Sequence, residues 1–144
     1  MRTEIFRERV LPSWQTFAMA PLLAIFLYGV WLPINEIAGV VTGLVAAIVL
    51  IVLFVIKAPV ISVTDVDLTV GRATIKRSLI GKVEHIPKSE AFKARGVELD
   101  ARAYTCFQAS VGEMLRVEIV DPADPTPYWL FNSRETATLI SLLS

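Results

Sequence analysis

The pattern of hydrophobic positions divides the chain into an apolar first part and an alternating remainder. Two runs without charged residues cover 14–32 and 37–56. At 1.5 Å per residue, a helix of either length is about 28 to 30 Å long, which matches the hydrocarbon core of a bilayer. The runs predict two transmembrane helices joined by a turn at 33–36 and preceded by an N-terminal segment, 1–13.

Charged residues beside the two runs predict the orientation of this hairpin. Three arginines precede the first run and Lys57 follows the second, whereas the connector Pro33-Ile34-Asn35-Glu36 contains neither Lys nor Arg. Short flanks rich in Lys and Arg remain in the cytoplasm. We therefore expect a multi-pass protein of the cell (inner) membrane with both termini cytoplasmic and the connector outside.

A stripe of small residues follows one face of the second apolar helix. Gly39, Gly43 and Ala47 recur every four positions, a spacing that lets another helix approach closely. Packing against the first helix of the same hairpin is the favoured interpretation, and a homodimer is the alternative. Neither apolar run contains an ionisable residue, which argues against a channel or a transporter.

Beyond Lys57 the hydrophobic period changes to two, so 58–144 is predicted to be a mainly-β cytoplasmic domain. The last strand leads into an amphipathic helix, and Asn132 with Glu135 resembles a capping box at its start. Strands are expected near 61–64, 68–70, 73–75, 79–86, 103–109, 114–120 and 128–132. Such a plan predicts a pleckstrin-homology-like barrel with a C-terminal helix, which follows the membrane α-helical hairpin.

Charge and chemistry narrow the possible functions. The formal net charge is zero, so no basic surface for nucleic acid is expected. The chain has one cysteine, Cys106, and one histidine, His85, which makes a disulfide, a metal site or another cofactor site improbable. His85 has no carboxylate in reach except the adjacent Glu84, and Cys106 is predicted to be an inert buried thiol. No catalytic residue is predicted, and the protein is expected not to be an enzyme.

Four segments carry a family resemblance that extends over nearly the whole chain. They are Phe6–Trp14, Leu68–Ala73, Asp100–Tyr104 and Asp121–Leu130, the last with the sequence DPADPTPYWL. In these segments the chain resembles small actinobacterial membrane proteins grouped as domain of unknown function 3093. The resemblance implies a two-span membrane protein without an assigned activity, and it supplies no site residues.

A basic group soon after the second run is one candidate binding surface. It contains Arg72, Lys76 and Arg77, with Lys82 further along the chain. Cations close to an anionic leaflet favour contact with lipid headgroups. A solvated strand face is the equally favoured alternative, because Asp65, Asp67 and Glu84 lie close to the basic residues in the sequence.

The second candidate surface is a pair of aromatic residues, Tyr128 and Trp129, directly after a proline-rich turn. Large aromatics are frequent interface anchors, although filling the core of a small domain is the favoured role here. The leading hypothesis is a non-enzymatic, membrane-anchored interaction or scaffolding module with a protein partner. Anionic-lipid recognition by the β domain is the alternative, and an enzyme comes third.

Overall fold

A computed structural model of the protein describes residues 3–108 and 110–144. The chain forms two compact units. The helical unit is Leu11–Ala58, and the β unit combines the N-terminal residues up to Val10 with Pro59–Ser144. The two long apolar stretches and the mainly-β remainder that the sequence predicts are confirmed.

Helices account for most of the helical unit. They are α1 (Trp14–Phe17), α2 (Met19–Trp31) and α3 (Glu36–Lys57). The first apolar run is interrupted at Ala18, because Pro21 has no N–H to donate to the Phe17 carbonyl one turn earlier. Asn35 begins α3, since its side-chain oxygen accepts a hydrogen bond from the Ala38 N–H at 3.1 Å.

The small-residue stripe packs inside the hairpin. Gly39 and Gly43 are buried, and a Cβ atom on Gly43 would lie 2.7 Å from the Ala24 carbonyl oxygen of α2. The rings of Phe17 and Phe54 also meet edge to face, with centroids 5.8 Å apart. The packing of α2 against α3 therefore uses the glycine face that a homodimer would also need.

The first sheet of the β unit begins with a strand that the sequence did not predict. Its strands are β1 (Glu4–Arg9), β2 (Val60–Thr64), β3 (Asp67–Val70) and β4 (Ala73–Lys76), in that order and antiparallel. Residues 1–13 were expected to lie outside the β domain, but β1 pairs with β2 from Glu4 opposite Thr64 to Arg9 opposite Val60. The β unit is thus built from chain on both sides of the hairpin.

The second sheet has the order β5-β7-β8-β6. Its strands are β5 (Ile80–Ile86), β6 (Tyr104–Cys106), β7 (Met114–Ile119) and β8 (Tyr128–Asn132), and β6 runs parallel to β8. A short helix, α4 (Ala91–Arg95), follows β5, and α5 (Thr136–Leu143) follows β8. Ala109, the end of the strand predicted near 103–109, lies outside the described residues.

One hydrophobic core joins both sheets and α5. It includes Val63 and Leu68 from the first sheet, Val117 and Phe131 from the second, and Leu139 from α5. Over residues 3–108 and 110–144 neither sheet closes on itself, so the pleckstrin-homology-like barrel is not confirmed.

The predicted capping box at the start of α5 is wrong. Asn132 is buried, its Oδ1 accepts the Gln108 N–H at 2.8 Å, and its Nδ2 donates to the Val111 carbonyl at 2.6 Å. The Ser133 hydroxyl oxygen instead accepts the Glu135 N–H at 3.0 Å just before the helix. The Asn132 side chain therefore ties Gln108 and Val111 to β8.

Candidate functional site

The outer face of the second sheet carries a group of interacting charges. Along β7 the apolar Leu115 and Val117 point into the core, so Arg116 and Glu118 project outward. Glu84 of β5 lies directly opposite Arg116 in the antiparallel register. Strand alternation and register thus bring together side chains that are far apart in the sequence.

Glu84 lies between two cations. Its carboxylate forms an ion pair with the Lys82 ammonium, and its second oxygen lies 3.6 Å from Nη1 of Arg116. The Arg116 guanidinium carbon lies 5.0 Å above the Tyr128 ring. Nε of Arg116 is buried and has no hydrogen-bond partner in the part of the chain that the structure describes. Arg116 therefore retains unused donor capacity beside the sheet.

The charge states of this group support each other. The pKa of Glu84 is lowered, chiefly by the hydrogen bond from Lys82. Partial desolvation opposes this effect, and the positive charges of Lys82 and Arg116 add to it. The same hydrogen bond raises the pKa of Lys82. Both side chains therefore stay ionised around neutral pH.

Two adjoining hollows flank Arg116 and Glu84, and together we call them the α4 cleft. The first, of about 400 Å³, is bordered by His85 on β5 and by Glu90, Ala94 and Glu98 around α4. The second, of about 320 Å³, extends over Tyr128 and is lined by Lys82, Glu118 and Pro127. Carboxylates outnumber cations along the walls of the cleft.

His85 has a carboxylate partner that the sequence did not predict. Nε2 of His85 contacts Oε2 of Glu113, which is 28 residues away and directly precedes β7.

Cys106 is half-buried, and burial raises the pKa of its thiol despite an opposing hydrogen bond with Tyr104. That environment favours an unreactive thiol. Among the described residues, no group of three or more His, Cys, Asp or Glu side chains is arranged to hold a metal.

Helix α4 borders the cleft, and one apolar side chain on the helix and another just after it are exposed to solvent. Its alanines, Ala91 and Ala94, are buried in a cluster with Ile86, Met114 and Leu130. Phe92 is 83% exposed and Val97, just after the helix, is 92% exposed. Because the alanines hold α4 on the sheet, these two side chains belong to an ordered surface.

The predicted basic group does not form a single cluster. Arg72 is exposed in the turn between β3 and β4, whereas Lys76 is exposed at the opposite end of β4. The guanidinium of Arg77 is committed to structure, because it donates to the Thr64 carbonyl at 3.4 Å and to the Leu142 carbonyl. Of these three predicted residues, Arg72 and Lys76 are exposed to solvent, whereas Arg77 is bound to backbone carbonyls.

The predicted aromatic pair divides between the core and the cleft. Trp129 is 4% exposed, and its ring centroid lies 5.2 Å from that of Tyr104. The Tyr128 hydroxyl accepts the Asp100 N–H at 2.9 Å and donates to the Glu98 carbonyl at 3.3 Å. The core role favoured for Trp129 fits its burial, and Tyr128 forms the floor of the α4 cleft.

The proline-rich turn before these aromatics is held by its own aspartates. Asp121 accepts the Ala123 N–H and Asp124 accepts the Thr126 N–H, each at 2.9 Å. The bond from Thr126 lowers the pKa of Asp124. Both carboxylates have the turn role expected of aspartate before proline.

Comparison with known proteins gives a family without an activity. The model of the family described as "Protein of unknown function (DUF3093)" matches residues 5–143. No curated protein and no solved structure matches the chain. Because the family match covers almost all of the sequence, including β1, the apolar hairpin and both sheets, the chain belongs to the DUF3093 family.

Proposed function

We propose that the protein is a multi-pass protein of the cell membrane whose β unit is a cytoplasmic interaction or scaffolding module. Support for membrane insertion comes from α2 and α3, whose large apolar side chains are mostly exposed. Water would solvate such surfaces poorly, whereas lipid chains would cover them. The Thr42 hydroxyl inside α3 donates to the Ala38 carbonyl at 2.7 Å, so this polar group is satisfied within the helix.

The pairing of β1 with β2 supports a topology with both termini on one side. Residues 4–9 precede the first apolar helix and 60–64 follow the second, yet they are neighbours in one sheet. A hairpin that spans a bilayer twice satisfies this pairing. Arginines before Trp14 and Lys57 after the second run assign that side to the cytoplasm.

A thiol-accessibility experiment tests this topology. In a Cys106→Ser background, Ile34→Cys is expected to react with a membrane-impermeant maleimide in intact cells, whereas Ser144→Cys is expected to react only after lysis. Ile34 is the better connector position because Asn35 caps α3. Labelling of position 144 but not of position 34 in intact cells would reverse the orientation.

The exposed apolar pair on α4 is the observation that carries the proposed interaction role. Phe92 projects from the anchored helix α4, which borders the charged cleft, and Val97 is exposed just after the helix. Interfaces commonly combine aromatic or aliphatic anchors with a polar rim. We assign the contact with a protein partner to α4 and the α4 cleft, whose charged side chains form the polar rim.

Site-specific crosslinking in cells tests this assignment. A photoreactive amino acid at Lys93, which is exposed on α4, is expected to give a discrete adduct with another protein, and Phe92→Ser with Val97→Ser is expected to remove it. The matched control is Val66→Ser, because Val66 is another exposed apolar residue, in the turn between β2 and β3. All variants are compared by thermal melting. Adducts that survive the α4 changes, or only lipid adducts, would contradict the proposal.

Lipid recognition by one basic pocket has less support. Arg72 and Lys76 lie at opposite ends of β4, and Arg77 binds backbone carbonyls. A single headgroup cannot bridge both ends of a strand of this length. A homodimer through the stripe of Gly39 and Gly43 would compete with the packing of α2 on the same face.

A further inference from the structure

Both passages of the chain between its two units lie at one end of the β unit. The chain leaves after Val10 and returns at Pro59, and the Val10 N–H donates to the Pro59 carbonyl at 2.9 Å. Three residues separate Val10 from α1, and Ala58 alone separates α3 from Pro59. We call this the tethered end of the β unit.

Two further segments converge on the tethered end. The Gly71 N–H of the β3–β4 turn donates to the Val60 carbonyl at 2.9 Å, beside Pro59. Gly71 has a φ of 60°, which a two-residue hairpin turn requires, and this turn presents Arg72. The Gln108 side chain donates to the Val10 carbonyl at 2.9 Å.

Residues 106–108 form another part of the tethered end. A Cβ atom on Gly71 would lie 3.1 Å from Sγ of Cys106, so residues 106–108 extend from the turn to Val10. Phe107 in this segment is exposed. Arg72 and Phe107 therefore belong to the same end of the β unit.

Charges are sorted along the first sheet. Arg9 and Arg72 lie toward the tethered end, whereas the opposite end carries Glu4, Asp65, Asp67, Lys76 and Arg77. Within residues 3–108 and 110–144 the Arg72 side chain has no hydrogen-bond or ion-pair partner; only its backbone N–H is bonded, to the Tyr104 hydroxyl at 3.4 Å. Glu8, the acidic residue nearest to Val10 in sequence, accepts hydrogen bonds from Ser133 and Arg134 instead.

We infer that the tethered end rests on anionic lipid headgroups, with the Arg72 guanidinium on the phosphates and Phe107 at the interface. This inference depends on the membrane anchoring proposed above. A cation whose side chain has no partner among the described residues, at the same end of the unit as an exposed aromatic ring, matches the chemistry of an anionic headgroup layer. The two chain connections at the tethered end hold the β unit beside the bilayer, and Arg72 with Phe107 then fix which surface of that unit meets the headgroups.

Headgroup proximity in reconstituted vesicles tests this inference. The full chain with Cys106→Ser receives a fluorophore either at Thr105→Cys, close to the tethered end, or at Asp65→Cys, at the opposite end of the first sheet. Vesicles of phosphatidylcholine, with or without phosphatidylglycerol, contain a lipid whose headgroup bears a nitroxide quencher. Arg72→Gln is compared with Lys76→Gln, which removes the same charge from the opposite end of β4.

Stronger quenching at position 105 than at position 65 is expected, with an increase when phosphatidylglycerol is present. Arg72→Gln is expected to return the quenching at position 105 to its level in phosphatidylcholine alone, whereas Lys76→Gln leaves it unchanged. Equal quenching in both lipid mixtures, or equal effects of the two substitutions, would overturn the inference. Extraction of the chain from vesicles by alkaline carbonate would overturn the membrane anchoring, and the inference with it.

Discussion

Removal of β1 is expected to lower the free energy of unfolding of the β unit by at least about 3 kcal/mol. The comparison uses residues 59–144 alone and residues 3–10 joined to 59–144 by a four-residue Gly-Ser linker. A short linker suffices because Val10 and Pro59 are hydrogen-bonded neighbours. Urea unfolding followed by circular dichroism gives the free energies.

The buried side chains and the hydrogen bonds of the β1 segment explain the size of this loss of stability. Val10 is fully buried and Phe6 packs against the same core, and burying one such side chain contributes about 1.5 to 3 kcal/mol. Glu8 accepts hydrogen bonds from Ser133 and from the Arg134 N–H, which join β1 to the start of α5. The control is the linked form with Phe6→Ser and Val10→Ser, which should lose most of the gain. Equal stability of the two forms would mean that β1 contributes nothing to the core.

Val117→Asp is expected to abolish cooperative folding of the linked β unit. Val117 has 0% exposure in β7, between Val83 of β5 and Trp129 of β8. An unpaired carboxylate there costs several kcal/mol, a large part of the roughly 5 to 15 kcal/mol that stabilises a typical domain. Loss of the thermal transition and of near-ultraviolet circular dichroism is the measurement.

Val120→Asp provides the matched control for that substitution. Val120 follows β7 directly and is 49% exposed, so the same chemical change meets water instead of the core. We expect a change of about 0.5 kcal/mol or less. A folded Val117→Asp protein, or equal effects at both positions, would show that the inward face of β7 has been misassigned.

Local patterns were sufficient to predict most of the strands. In 114–120 the alternation of Leu115, Val117 and Ile119 with charged residues identified both the strand and its buried face. The same period located β2 and β3, and the spacing of Leu139, Ile140 and Leu143 identified α5. In each case the residues that define the element are neighbours in sequence.

Pairings between distant segments could not be predicted in this way. The EIFRER sequence of β1 contains four charged residues, so it reads as a solvated flank, and its partner strand starts only after the hairpin. The contact of His85 with Glu113 depends on the register of β5 against β7. Asn132 has a sequence environment typical of a helix cap. In the fold it lies in β8, where its amide instead bonds to the backbone of Gln108, Val111 and Glu113.

In the proposed topology, the pairing of β1 with β2 also links biosynthesis of the chain to membrane insertion. Ribosomes add about 5 to 20 residues per second, so β1 waits for its partner for seconds while the two apolar helices are made. A hairpin inserted with only one helix across the bilayer would leave β1 and β2 in different compartments, and the first sheet could not be completed. Folding of the β unit would thereby exclude chains inserted with a single helix across the bilayer.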